Sequence, residues 1–378
     1  MRILHTIPGR NWGGMEHRTL EQVRWLAAHG HDVWLAAPPD GEPFRAGMAE
    51  GLPVVPMVFD RPWRPATVAA LRSFVRDNRV EVIDAHVTRD AKAAMACLDL
   101  CAVVRSRHVN QPLRPSPVRR LQWRLGADHV ITVAEVTRRD LVAAGLAHPE
   151  RSTSIGGWAD ESYFDLADPV ATRAQVRDEL NLPADDTVIL CVGMLRPDKG
   201  QDHLIAALDL LAARGLRPLC LLAGAATEES AGYEAALRAA AGDRVRFLGY
   251  RKDVSRLMRA ADLVVIPSLT EAQPRVAVQA FATGRPVVAS AVGGVPEIVE
   301  QGITGWLVPP ARPQALADAI AAVLADPADA ARIAANARDL AEKAMRFDHR
   351  MAETLATYRT AIERARARAF PPFRGVRQ

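Results

Sequence analysis

The chain has 378 residues, of which 49% are apolar, enough for two α/β domains of ordinary size with well-filled cores. Its net charge is only +4, carried almost wholly by arginine, and its four cysteines (97, 101, 191 and 220) are too few and too scattered for a disulfide framework. No apolar run approaches the roughly 18–20 residues of a membrane span, and 2–7 reads as a first strand, too short for a signal peptide. Cys97 and Cys101 share a helix face without further ligand residues nearby, so they read as small buried hydrophobes and not as a metal site. A cytosolic protein is expected, able to touch the inner face of a membrane as a peripheral protein.

In chain order, strands are expected at 2–7, 32–37, 53–57, 82–85, 103–108 and 129–133, alternating with helices at 15–28, 65–77, 89–100, 118–126 and 135–144. Strict alternation predicts a parallel, doubly wound sheet. Ligands in such sheets bind beyond the carboxyl ends of the strands. The residues just after each strand therefore carry the functional reading. After the first strand comes Pro8-Gly9-Arg10-Asn11-Trp12-Gly13-Gly14-Met15-Glu16. A glycine pair before a helix lets backbone N–H groups approach a phosphate or sugar, although a plain tight turn has the same look. His86 follows the fourth strand and His108 ends the fifth. A histidine at a strand end is more often a satisfied structural residue than a ligand contact.

Between 101 and 127 there are six arginines (105, 107, 114, 119, 120, 124), and Val118-Arg119-Arg120-Leu121-Gln122-Trp123-Arg124 reads as a basic amphipathic helix. It would dock on anionic lipid with Trp123 as anchor, or grip an anionic acceptor, or simply present a solvated arginine face. Nucleic acid is not expected, because the basic block is short and offers no interleaved stacking platform.

The second half repeats the alternation. A strand at 187–192 opens onto Gly193-Met194-Leu195-Arg196-Pro197-Asp198-Lys199-Gly200 and a helix at 201–213. Strands at 218–222 and 245–248 follow, the latter leading into Gly249-Tyr250-Arg251-Lys252-Asp253. Next is a buried strand at 263–266, a polar loop, and a helix expected to start with Pro274, end near Thr283 and be stopped by Gly284. Free N–H groups and the positive dipole end at Pro274, Arg275 and Val276 favour a phosphate. Glu271 lies just before this helix and Gln279 two turns into it, about 12 Å apart if the stretch is helical. That length suits a nucleotide sugar running from hexose to ribose. No internal repeat is present.

The run Glu271-Ala272-Gln273-Pro274, Gln279-Ala280, Gly284-Arg285-Pro286-Val287-Val288 and Gly293-Gly294-Val295-Pro296-Glu297 resembles the signature of the family-4 glycosyltransferases. These are retaining enzymes of the two-domain GT-B fold, and the resemblance is strongest from 187 to 310. It implies two Rossmann-like doubly wound domains facing a central cleft. An acceptor-side domain is expected at 1–163 and a donor-side domain at 164–348. The segment 349–378 is expected to form a helix and tail packing back on the first domain, with Arg374 and Arg377 loosely held.

The resemblance also implies roles. His108 contacts the donor sugar, Glu271 holds that sugar, and Gln279 bonds the ribose. Arg196 and Lys199 neutralise the leaving diphosphate, and Gly249, Tyr250 and Arg251 meet the base. Gly13, Gly14 and Gly193 give backbone close to the donor. Glu16, His86 and Arg114 line the cleft or acceptor side. The implied activity is transfer of a sugar from a nucleotide sugar to an acceptor hydroxyl with retained anomeric configuration, in cell-surface polysaccharide, lipopolysaccharide or lipid-linked glycan synthesis. No metal or other cofactor is expected, and the chain has no Asp-x-Asp triplet.

Three departures stand out. Gln279 replaces a glutamate, Met194 an arginine, whose charge Arg196 would supply from two residues on, and Gly156-Gly157-Trp158 the usual Pro-Asn-Gly. They keep two alternatives open: a sugar-nucleotide epimerase on the same scaffold, or a nucleotide-sugar-binding protein without catalysis.

Overall fold

The structure, a computed structural model, describes residues 1–111, 113–165, 168–183 and 185–368. The tail from 370, with Arg374 and Arg377, lies outside the described residues. The chain forms two α/β units. The first holds Met1–Ile155 together with the chain from Met351 on, and the second is Gly156–Arg350.

The first unit is built on seven parallel strands: β1 (Arg2–Thr6), β2 (Asp32–Ala37), β3 (Val54–Pro56), β4 (Val82–Ala85), β5 (Ala102–Arg107), β6 (His129–Thr132) and β7 (Ser152–Ser154). Their order across the sheet is β3-β2-β1-β4-β5-β6-β7. The winding reverses between β1 and β4, which pair in parallel from Ile3 opposite Val82 to Thr6 opposite Ala85. β7 was not expected from the sequence: Ser-Thr-Ser carries no apolar run and pairs only as an edge strand on β6.

The second unit has six parallel strands: β8 (Val188–Val192), β9 (Leu219–Ala223), β10 (Val245–Gly249), β11 (Leu263–Ile266), β12 (Val287–Ser290) and β13 (Trp306–Val308). The order is β10-β9-β8-β11-β12-β13, with the reversal between β8 and β11. The central strands read as continuous apolar runs because helices cover both faces. Val188 and Leu190 of β8 enter one core cluster, and the alternating Ile189 and Cys191 enter the other. All four cysteines are buried free thiols, as their reading as small hydrophobes requires.

The units divide after Ile155, eight residues before the break expected after 163. The reason is packing. Ala159, Tyr163 and Phe164 belong to the second unit's core, and Trp158 is fully buried, stacked on Phe347 at 4.7 Å between ring centroids. The last described helix, Phe347–Ala367, leaves the second unit and packs on the first from Met351 onward. Tyr358 on it is fully buried in the first unit.

Candidate functional site

Each sheet gathers polar side chains where its winding reverses, at the carboxyl ends of the two central strands, where open α/β sheets bind ligands.

In the second unit these strands are β8 and β11. The loop after β8 lies flat against the end of β9. The Gly193 N–H donates to Ala223 O at 3.0 Å and the Leu195 N–H to Ala225 O at 3.1 Å. A Cβ on Gly224 would meet Gly193 O at 1.8 Å, so only glycine allows this approach. Leu195 is 1% exposed, and its neighbours Met194 and Arg196 turn away from the core it enters. The two loops are then clamped together. Gly200 adopts φ +65°, and a Cβ there would sit 2.2 Å from Pro267 O. The Leu269 N–H donates to Asp198 O at 2.8 Å.

This clamp sets Lys199 against Glu271, with Nζ 2.6 Å from Oε1, and the Ser268 hydroxyl donates to the same oxygen at 2.9 Å. Both members of the pair are mostly buried. Pro274 is the cap of the next helix and not its first residue: the helix is Arg275–Ala282, closed by Thr283, with Gly284 at φ +64°. The first N–H groups of the helix are therefore those of Arg275 and Val276. Ala277, Val278, Ala280 and Phe281 bury one face of this helix, leaving Gln279 partly exposed on another. Lys199 and Glu271 are thus in contact, and the helix starts four residues after Glu271. Arg196 stands further out, 45% exposed, with Nε 3.0 Å from Asp198 Oδ1. Its charge is shared with that carboxylate.

Tyr250 is 57% exposed beyond β10, beside the Gly249 turn at φ +65°. The Arg251 guanidinium donates to both oxygens of Asp253 at 2.8 and 2.6 Å, which holds the Asp253 carboxyl below its usual pKa. The Arg275 guanidinium lies 5.5 Å over the Trp158 ring. Sequence reading missed Gln273. Its Oε1 accepts the Gly157 N–H at 2.5 Å, and a Cβ on Gly156 would fall 2.5 Å from that oxygen. The departure at Gly156-Gly157 thus has a physical partner in the signature loop.

In the first unit the central strands are β1 and β4. His5 lies on β1, His86 just after β4 and His108 just after β5. They form one file: His5 Nδ1 is 2.9 Å from His86 Nε2, and His86 Nδ1 is 2.9 Å from His108 Nε2. A neutral imidazole offers one donor and one acceptor, which is what each step of such a file consumes. Burial supplies the neutrality. It lowers His5 and His86 to about 3 and His108 well below its ordinary value, with the buried Arg18 adding repulsion at His86 and His108. Asp84 lies 4.0 Å from His5 Nδ1, and the Tyr358 hydroxyl donates to it at 2.6 Å. Asp90 fixes the chain at His86, accepting the His86 and Val87 N–H groups at 2.8 and 2.9 Å and the Thr6 hydroxyl at 2.9 Å. His5, Asp84 and His86 are a conceivable metal-ligand set. The 2.9 Å nitrogen–nitrogen contact is a hydrogen bond, however, and Arg18 opposes a cation there.

The Gly13-Gly14 loop differs from its expected form. Glu16, in the first turn of the helix Gly14–Ala28, accepts the Gly13 N–H, and burial raises its pKa. A Cβ on Gly9 would meet Glu16 Oε1 at 2.8 Å and one on Gly13 would meet Oε2 at 3.0 Å, whereas Gly14 has open space. Gly13 and Gly9 make room for Glu16, and the Gly13 amide is already used.

Arg114 is exposed, and its carbonyl accepts from Arg119. Trp123 is not a surface anchor: it is 5% exposed, with the Arg105 guanidinium 4.2 Å over its ring. Around it the helix Pro117–Leu125 exposes Val118, Leu121 and Leu125 among Arg119, Arg120 and Arg124.

Two parallel doubly wound units, each with its polar cluster at the reversal point, have the two-domain GT-B architecture. The profile of the family described as Glycosyltransferase Family 4 matches residues 12–160, and that of Glycosyl transferases group 1 matches residues 172–340. The chain belongs to the family-4 glycosyltransferases. A D-inositol 3-phosphate glycosyltransferase of Xylanimonas cellulosilytica is 35% identical over 274 residues, 68% of this chain and 65% of that protein. The protein of the same name from Mycobacterium avium is 33% identical over 243 residues, 62% and 55% of the two chains. The chain thus matches less than two thirds of the length of these relatives. Among solved structures, a glycosyltransferase from Rickettsia africae shares the fold (TM-score 0.86, 18% identity, 96% of this chain and 98% of that one). Anabaena HepE, solved in complex with UDP, has a TM-score of 0.79 and 25% identity, covering 94% and 100%.

Proposed function

We propose that the protein transfers a sugar from a nucleotide sugar, with UDP as the carrier, to an acceptor hydroxyl with retention at the anomeric carbon. The observation that carries this reading is the Lys199–Glu271 pair, set against the start of the helix Arg275–Ala282. A cation and a sugar-binding carboxylate meet a few residues before a helix start, where a diphosphate and its sugar would lie. The choice of UDP draws on Anabaena HepE, whose structures hold UDP and UDP-glucose. In this reading the bond from the anomeric carbon to the diphosphate breaks, and the acceptor oxygen bonds to the same face. The acceptor proton leaves with the departing phosphate. Lys199, Arg196 and the amides of Arg275 and Val276 meet the developing charge without a metal. Glu271 holds the sugar, Gln279 the ribose, and His108 the donor sugar as an uncharged hydrogen-bonding partner.

The acceptor is a membrane-held glycan or lipid-linked sugar in the first reading, with the exposed Val118, Leu121 and Leu125 among arginines favouring an anionic surface. Among the described residues no helix is long and apolar enough to cross a membrane, so such contact would be peripheral. Sedimentation with anionic vesicles that is unchanged in Leu121→Asp would remove this support. A second reading, a phosphate-bearing polyol as acceptor, is favoured by the relatives named D-inositol 3-phosphate glycosyltransferase.

The deciding experiment incubates the protein with a panel of nucleotide sugars and candidate acceptors and measures released nucleoside diphosphate. Acceptor-dependent UDP release is expected. Interconversion of the donor without acceptor would indicate an epimerase, and donor-dependent stabilisation without product a binding protein.

A further inference from the structure

Arg105 projects from β5 into the space between the helices Thr88–Ala94 and Pro117–Leu125, and it is only 3% exposed. Its Nε and Nη1 are buried and make no hydrogen bond among the described residues. It has no ion pair there either. Asp90 is the carboxylate that acts on it electrostatically, and that group is already engaged by Thr6, His86 and Val87. The guanidinium sits over Trp123, which fixes its plane but satisfies none of its N–H groups.

An unpaired buried cation is expensive, and buried donors without partners are rare enough that each calls for a partner from solution. Burial pushes the Arg105 pKa down to about 10, which still leaves it charged at neutral pH. The space in front of Arg105 is a cavity of about 220 Å³ that also meets Lys92, Arg119, Thr88 and Ser116. Three cations and two hydroxyls face one small volume, and no carboxylate lines it. Ser116 is also the cap of the nine-residue helix, so that helix directs its positive end toward the same volume.

We infer that this cavity is an oxyanion site, with Arg105 as its buried fork and Lys92 and Arg119 at its mouth, and that it takes the phosphate monoester of a small molecule or of a lipid headgroup. A guanidinium matches two oxygens of such a group bidentately, and the hydroxyls of Thr88 and Ser116 suit the third. Arg105 leaves the opposite face of β5 from Ser106, the face on which Asp84 and the histidine file lie. The anion site is therefore separate from that file and does not rest on the glycosyltransferase reading.

The test uses the full chain and measures thermal stability against inorganic phosphate and glycerol 3-phosphate, with chloride matched for ionic strength. Phosphate is expected to raise the melting temperature in wild type and in Lys199→Ala, whose donor site is impaired. The rise is expected to vanish in Arg105→Met, while Arg105→Met without phosphate melts no lower than wild type, because it removes an uncompensated charge. Should Arg105→Met fail to fold, the surface double variant Lys92→Met/Arg119→Met replaces it, with an expected loss of about tenfold in phosphate affinity. Tighter binding of glycerol 3-phosphate assigns the site to soluble phosphorylated molecules. Arg105-dependent sedimentation with vesicles of phosphatidic acid and phosphatidylcholine assigns it to a headgroup. No phosphate effect beyond chloride, or one that survives all these substitutions near Arg105, overturns the proposal. Absence of sugar transfer, with the phosphate response intact, would overturn the glycosyltransferase reading and leave the anion site standing.

Discussion

The Lys199 ammonium and the Glu271 carboxylate are in direct contact, 2.6 Å apart, across two loops that leave the central strands of the second unit. The contact holds a cation and an acid side by side. It also predicts that the two respond differently to substitution. Glu271→Gln frees Lys199 from its partner, so UDP binding should hold or strengthen. Turnover with a UDP-sugar should nevertheless fall by about a hundredfold or more, the usual scale for losing a transition-state contact. Calorimetry with UDP alongside steady-state kinetics checks this. Parallel loss of both would mean that Glu271 supports the loop and not the sugar.

Gln279 lies partly exposed on the helix Arg275–Ala282. As a ribose contact it should discriminate against a missing hydroxyl by a neutral hydrogen bond, about 0.5–1.5 kcal/mol. Wild type should therefore bind UDP several-fold better than 2′-deoxy-UDP, and Gln279→Ala should lose that preference. Gln279→Glu should give only a modest gain in turnover if the site is tuned. A large gain would mark a decayed site.

Tyr358 is fully buried and donates to Asp84 from a helix far along the chain. Tyr358→Phe keeps the ring and removes the donor. It should destabilise the protein by about 1–3 kcal/mol, since Asp84 is left buried with an unmet oxygen. Urea unfolding with an unchanged slope would show it. A change within a few tenths of a kcal/mol would mean that water or another group replaces the hydroxyl.

The histidine file gives a pH signature. His5 and His86 stay neutral in the fold down to about pH 3, whereas an unfolded imidazole protonates near 6.5. Their contribution to stability is whole above pH 6.5 and is lost as pH falls toward 3, because the unfolded state then binds more protons. Buried Asp84 and Asp90, with raised pKa values, act in the opposite sense. The clean quantity is therefore the stability difference between wild type and His86→Gln. It should be flat above about pH 7 and move against wild type as the solution is acidified. A difference independent of pH between 7 and 4 would show that His86 titrates in the fold as it does unfolded, and so contradict its burial as a neutral group.

Much of this site was legible because its residues lie just past apolar runs that could only be buried strands. Leu263–Ile266 and Val188–Val192 placed Glu271 and Lys199 at strand ends, and the reversal point then brought them together. What stayed hidden depends on contacts between residues far apart in the chain. Gln273 meets Gly157 across 116 positions and Tyr358 meets Asp84 across 274, and no local pattern marks either. His5 sits inside an otherwise ordinary strand, so only the fold shows that it extends the file of His86 and His108. The positions of His86 and His108 at strand ends were the local hints of that cluster. Trp123 misled for a related reason. A helix whose exposed side carries Val118, Leu121 and Leu125 has its apolar stripe reversed, and its one aromatic turns inward under Arg105.

The central claim is that charge on a diphosphate is met by Lys199 and a helix start without a metal. UDP binding in the presence of a strong chelator, compared between wild type and Lys199→Ala, tests it most directly. The account predicts that wild type binds UDP with chelator present and that Lys199→Ala weakens binding by about tenfold to a hundredfold, the 1.5–3 kcal/mol of a hydrogen bond to a charged group. Binding that requires an added divalent cation, or that is indifferent to Lys199, would contradict it.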